Sequence, residues 1–180
     1  MLNIKYLNGT ETAKNLYRTF AVECRTNNIY IMFAEMARNE GYLWIADIFE
    51  RIAGNELAHA RAAYKKYLGQ IKGTEDNLRF GVEREDSVVE LYKKYEKTAM
   101  EEGLDEVARF YKELSETEES HAEIYTDLFN RFKNGIFSSN HPIDWVCMNC
   151  GYIHEGDAAP NNCPCCGFSK AYFMPKCNPE

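Results

Sequence analysis

Glu23, Glu56 and His59 recur sixty-two positions later, in the same order and without a gap, as Glu85, Glu118 and His121. The same shift carries Asn15 and Leu16 onto Asn77 and Leu78, Tyr30 onto Tyr92, Ala37 onto Ala99 and Glu40-Gly41 onto Glu102-Gly103. It also carries Ala46 onto Ala108 and Ala60 onto Ala122. A repeat of this kind marks one supersecondary unit used twice. If that unit is a pair of helices, each copy supplies one Glu and one Glu-x-x-His. Two copies about a pseudo-two-fold axis would then set four carboxylates and two imidazoles around one point. Hard oxygen donors with imidazole suit iron or manganese, so the repeat predicts a dinuclear metal protein.

The spacing supports helices. Leu16, Phe20, Ile31 and Ala34 keep helical intervals, and no proline occurs before Pro142. Gly41 and Gly103 stand where one helix closes and a short turn opens the next. Gly69 and Gly73 bracket the remaining break, and Thr74-Glu75-Asp76 reads as an N-cap with acid in the first turn. Helices are expected near 10–39, 42–68, 75–102 and 104–134, an all-α four-helix bundle. Within the second and fourth, Glu56 with His59 and Glu118 with His121 are three apart and share a face. Glu23 falls on the line Leu16, Phe20, Asn27, Tyr30, and Glu85 on the line Leu78, Val82, Val89, Tyr92, both core-facing. Buried carboxylates need partners, and the repeat chooses among them: Glu83 matches Ala21, so Glu85 is the expected ligand and Glu83 is expected to be solvated. Glu56 and Glu118 are best placed to bridge two ions. Tyr30 and Tyr92 each follow a ligand glutamate by two helical turns, which puts their hydroxyls within reach of the site as proton or hydrogen-bond donors.

The last fifth of the chain is of another kind. Asn134-Gly135, Ser138-Ser139-Asn140 and His141-Pro142 form a helix-breaking stretch, and domains are expected at 1–136 and 145–180 with a linker at 137–144. Seven cysteines occur, five of them between Cys147 and Cys166. Cys147-x-x-Cys150 and Cys163-x-x-Cys166 are two knuckles of the spacing that holds one tetrahedral metal, most commonly zinc. So short a module cannot bury enough apolar surface to stand without such a staple. Cys24, Cys165 and Cys177 are left over, as buried or idle thiols. An odd, clustered set of cysteines points to metal thiolates in a reducing compartment. Met1–Tyr6 shows no apolar signal segment, and no apolar run approaches the roughly 20 residues of a membrane span. A cytoplasmic protein is therefore expected. The formal charge of −7 lacks the footprint of a nucleic-acid binder.

The two motif sets together, Glu23, Glu56-x-x-His59, Glu85 and Glu118-x-x-His121 followed by Trp145-Val-Cys147-x-x-Cys150-Gly-Tyr and Cys163-Pro-x-Cys166-Gly, closely resemble the rubrerythrins over essentially the whole chain. The resemblance implies a ferritin-like di-iron domain fused to a rubredoxin-like domain holding one iron, and turns the four-cysteine site from zinc to iron. It implies reduction of hydrogen peroxide to water in oxidative stress protection. Electrons would enter at the Cys147, Cys150, Cys163 and Cys166 iron from rubredoxin or an NAD(P)H-dependent reductase. One departure stands out: where the family usually has a further glutamate three positions after the helix-three ligand, this chain has Val88. The remaining six-ligand set is symmetric and closer to bacterioferritin, so an oxygen-consuming ferroxidase or iron-storage protein is the alternative. A non-enzymatic zinc-ribbon protein is the other.

Length raises a question of assembly. Ferritin-like bundles run helices two and three parallel, so their connection must return along the bundle. Residues 69–74 reach only about 20 Å fully extended, against roughly 40 Å for a helix of that length. Either a simple hairpin connection or docking of helices three and four onto another chain satisfies the length; the resemblance to the ferritin-like fold implies the second, a homodimer domain-swapped so that helices one and two meet helices three and four of the partner.

Overall fold

The structure, a computed structural model, describes residues 7–176. Cys177 and the Met1–Tyr6 segment, both read above, lie outside the described residues. The chain divides into two compact units between Gly73 and Thr74.

The first unit is a helical hairpin. Helix α1 spans Glu11–Asn39, and its Thr10 N-cap hydroxyl accepts a hydrogen bond from the Ala13 N–H at 3.1 Å, satisfying one of the donors that a helix start leaves open. At its end Gly41 takes φ +85°, and the Tyr42 N–H reaches back to the Ala37 carbonyl at 2.8 Å, a left-handed closure that glycine adopts without steric cost. Helix α2 spans Leu43–Arg61 and continues as a π-helical segment, Ala62–Tyr67. Sequence spacing predicted one helix over this length, and the wider final turns carry no signal in helical periodicity. Ala34, Ala37, Ala46, Ala53 and Ala60 are buried, so small side chains let the helices approach. Arg38 straddles the pair, donating to Asp47 and Glu50. Such exposed ion pairs contribute only about 0–1 kcal/mol each. Ile31, expected on the apolar stripe, is exposed along with Met32, Phe33, Met36 and Trp44.

The second unit opens with a matching hairpin. Helix α3 spans Thr74–Glu101 and α4 spans Asp105–Asn134. Thr74, expected as a cap, is the first residue of α3. Between them Gly103 repeats the Gly41 closure at φ +74°, with the Leu104 N–H on the Ala99 carbonyl at 2.8 Å. Val88, Val89, Ala99, Ala108, Ser115 and Ala122 are buried, whereas Phe80, Met100, Phe110 and Ile124 are exposed.

Three strands follow: β1 (Ser138–Cys147), β2 (Ile153–Ala158) and β3 (Phe173–Pro175), in the antiparallel order β2-β1-β3. The segment 138–144, expected as linker, belongs to β1: Ser138 pairs with Ala158 and Ile143 with Gly156, with an irregularity between. Polar composition hid the strand, because this part of β1 is paired by β2 alone and keeps one face in water. Trp145 is fully buried over Cys147, Ala159, Cys163 and Phe173, and its indole Nε1 donates to the Gly156 carbonyl at 2.9 Å, so the largest core side chain leaves no polar atom unpaired. The fold class is the expected one, four helices and a small C-terminal sheet.

Candidate metal centres

In the first hairpin the helical spacing brings donor atoms of Glu23, Glu56 and His59 within 4.8 Å of one another. His59 Nδ1 lies 3.0 Å from Glu56 Oε2 and 3.8 Å from Glu23 Oε2. In the second, Glu85, Glu118 and His121 gather in the same way, with His121 Nδ1 at 2.8 Å from Glu118 Oε2. The glutamates are half-buried and the imidazoles exposed. Each unit by itself therefore carries one Glu, Glu, His set, as the repeat predicts.

Electrostatics match an ion-binding role. The Glu23 carboxyl is held above the ordinary range, first by its hydrogen bond with Glu56 and then by desolvation. Glu56 is held below it by the same bond and by His59. Two carboxylates facing each other share a proton, and a cation would take that proton's place. Glu85 is also raised, with desolvation the larger cause and the hydrogen bond with Glu118 the next. The donor sets fit iron, which takes hard oxygens and imidazole.

Glu83 is exposed, and Asp86 and Glu90 line a groove with Glu119, Glu123 and Asp127 that includes none of the donors. Val88, at the position of the missing glutamate, is buried. Tyr30 is half-buried against Phe33 and Phe49, and Tyr92 against Tyr95 and Tyr111. Both rings thus belong to aromatic clusters within their own hairpins.

The four cysteines converge as well. Cys147, Cys150, Cys163 and Cys166 place their sulfurs within 4.8 Å of one another. The two knuckles are built alike. The Cys147 N–H bonds to the Tyr152 carbonyl and the Gly151 N–H to the Cys147 carbonyl; Cys163 and Gly167 repeat this with Phe168 and Cys163. Gly151 and Gly167 both take φ +76°, which turns successive N–H groups toward sulfur. The Phe168 N–H, with the Asn149 side chain next, lowers the Cys166 thiol to about 6. Against Cys150 the Tyr152 N–H acts the same way, but the neighbouring thiols outweigh it and push Cys150 up. Four thiols this close cannot all ionise without a cation, and a tetrahedral metal supplies one. Cys165 is exposed and Cys24 half-buried, both outside the cluster.

Sequence reasoning missed two contacts beside the donors. Asn27 Nδ2 donates to the Ala53 carbonyl at 2.8 Å across α1 and α2, and the Tyr125 ring lies over Gly81 across α3 and α4. A helical glycine on the seam was the only available sign of the second.

Comparison with known proteins agrees with these centres. The family model for rubrerythrin matches residues 14–83 and 76–141, and that for the rubrerythrin rubredoxin-like domain matches residues 145–174. The chain is 36% identical to the rubrerythrin of Clostridium perfringens, covering 94% of this chain and 96% of that protein. It is 34% identical to the rubrerythrin of Nitratidesulfovibrio vulgaris, again over 94% and 96%. The matched segments contain every one of the ten donors placed above, and the chain belongs to the rubrerythrin family, an iron protein with a di-iron centre and a four-cysteine iron.

Proposed function

We propose that this protein is a peroxidase that reduces hydrogen peroxide to water, taking electrons through its four-cysteine iron. The observation that carries the reading is the joint presence, in one chain, of two matched Glu, Glu, His sets and a separate four-thiolate cluster. When bound, the paired irons supply two electrons at adjacent positions, which suits cleavage of one O–O bond. Two protons must accompany them to release two waters. Glu23, Glu56 and His59 would hold one ion and Glu85, Glu118 and His121 the other, with Glu56 and Glu118 bridging.

Tyr30 and Tyr92 are proposed to donate hydrogen bonds toward the leaving oxygen, supported by their place two turns beyond Glu23 and Glu85 and by the aromatic packing that restricts each ring. Cys147, Cys150, Cys163 and Cys166 would hold the entry iron, with the Tyr152 and Phe168 N–H groups tuning it. The module that begins with β1 at Ser138 would be the electron-entry domain and the helical part before it the di-iron domain. The electron donor would be rubredoxin or an NAD(P)H-dependent reductase in a reducing cytoplasm. No helix among the described residues is long and apolar enough to cross a membrane.

A homodimer completes the reading. Leu68–Gly73 is all that joins the end of the π-helical segment to α3, and six residues reach about 20 Å at most. Phe33, Met36 and Trp44 on the first hairpin and Met100 and Phe110 on the second are exposed, apolar surface on each that a second copy would cover. The proposed arrangement sets α1 and α2 of one copy against α3 and α4 of its partner.

The buried Val88 leaves a symmetric ligand set, which favours the ferroxidase alternative enough to test it alongside. The fully reduced protein is mixed in turn with peroxide and with oxygen, and reoxidation is followed by absorbance. Much faster oxidation by peroxide is expected; equal rates, or accumulation of a mineral iron core, would replace the peroxidase reading with the ferroxidase one.

A further inference from the structure

We infer that Tyr125 is a positioning residue for the second half of the di-iron centre, acting through its contact with Gly81. A Cβ built on Gly81 would stand 2.9 Å from Tyr125 Cδ1, 3.1 Å from Cγ and 3.2 Å from Cε1. Cγ is the ring atom nearest the backbone, so the ring cannot swing clear by moving only its tip. The aromatic face therefore rests on bare backbone, and the contact limits how closely α3 and α4 approach.

Its place along the seam gives the contact its consequence. Gly81 precedes Glu85 by one helical turn on α3; Tyr125 follows His121 by one turn and Glu118 by two on α4. Spacing set at Gly81 and Tyr125 is thus passed directly to the three donors, which converge within 4.8 Å. The other helical glycine, Gly54 in α2, has nothing within 4 Å of its built Cβ. Glycine costs helix stability relative to alanine, and at position 81 the structure supplies a steric reason for it.

The first hairpin solves the same problem differently. The counterparts of Gly81 and Tyr125 in the repeat are Thr19 and Ala63, and there the helices are clasped by the Asn27 side chain on the Ala53 carbonyl. The counterparts of those two, Val89 and Ser115, are buried, with the Ser115 hydroxyl turned to its own helix at the Lys112 carbonyl. The first half of the centre is held by this hydrogen bond and, beside Thr19 and Ala63, by the Phe20 and Tyr64 rings stacked 4.3 Å apart, the second by a ring on a glycine.

The inference rests on the metal centre and not on the choice of oxidant, so its test reads metal binding. The full chain, with iron in its four-thiolate centre, is stripped of the di-iron pair and titrated with cobalt(II), following the d–d bands of the carboxylate and imidazole site. Gly81→Ala is expected to weaken cobalt binding by about 10–100-fold and to alter the bands, with the red four-thiolate absorption unchanged. Gly54→Ala is expected to leave both as they are. Gly81→Thr combined with Tyr125→Ala places the Thr19 and Ala63 pair of the first hairpin at this point of the seam and is expected to regain most of the affinity. Should Gly81→Ala not fold, Tyr125→Ala needs no added space and is expected to weaken binding too, while Tyr125→Phe keeps it. Unchanged affinity in Gly81→Ala or Tyr125→Ala would overturn the inference, as would an equal loss in Gly54→Ala or Tyr125→Phe.

Discussion

Glu118 touches both other donors of its hairpin: its Oε2 lies 2.8 Å from His121 Nδ1, and its carboxyl shares a hydrogen bond with Glu85. Glu56 has the same relation to His59 and Glu23. In the first set Glu23 also approaches His59, at 3.8 Å, so Glu118 is the clearer hub.

Removing a hub should cost more than removing a neighbour. Glu118→Ala is expected to lose the di-iron pair while the four-cysteine iron stays, so iron content falls to that centre alone and the red colour persists. Glu119→Ala, which breaks an exposed contact with Lys93, is expected to change stability by under about 1 kcal/mol and to leave the iron in place. Metal analysis with visible absorbance checks both.

Glu85 couples metal binding to pH. Desolvation, and then the bond with Glu118, raise its carboxyl above the ordinary glutamate range. A carboxyl raised on folding contributes stability that is complete below its unfolded pKa and is lost as pH rises through the folded one. With the di-iron pair removed, Glu85→Gln should therefore melt at a higher temperature than the unaltered chain at neutral pH. The two should converge below pH ~3.5, where the carboxyl is largely protonated in both states. The same variant is expected to bind iron poorly, a stability gain at the expense of the site. Melting curves at the two pH values decide the matter; a lower neutral-pH midpoint for Glu85→Gln would contradict it.

Cys150 is the exposed ligand of the knuckle pair, and electron entry is expected there. Cys150→Ser should abolish the red chromophore and turnover with an external reductase. Chemically reduced di-iron should still consume peroxide in a single turnover. Coupled turnover at the unaltered rate in this variant would refute the relay.

Assembly can be tested by complementation. A chain with Glu56→Ala and His59→Ala is co-expressed with one carrying Glu118→Ala and His121→Ala, and the heterodimer is isolated. If α1 and α2 pair with α3 and α4 of the partner, one site is whole and half the di-iron content returns. If each chain builds its own site, none returns, and the swap is excluded.

Much of this protein was legible before any fold was known. The repeat predicted Glu85 over Glu83 as a ligand, and the structure gathers Glu85 with Glu118 and His121 while leaving Glu83 exposed. Gly41 and Gly103 announced the two helix closures, and the paired knuckles announced the four-sulfur cluster. These are local facts: three-residue spacings on a helix and two-residue spacings in a turn survive in any tertiary context. The strand through 138–144 was hidden because hydrogen bonds to β2, and not apolar alternation, hold it. The π-helical turns after His59 were hidden because they alter backbone bonding without altering composition. Which side chains hold each hairpin at its working distance was decided only in three dimensions. Asn27 on Ala53 and Tyr125 on Gly81 join residues 26 and 44 positions apart, and packing across a seam depends on how two helices meet. A sequence repeat can say which positions are equivalent, but the two halves here use those positions differently.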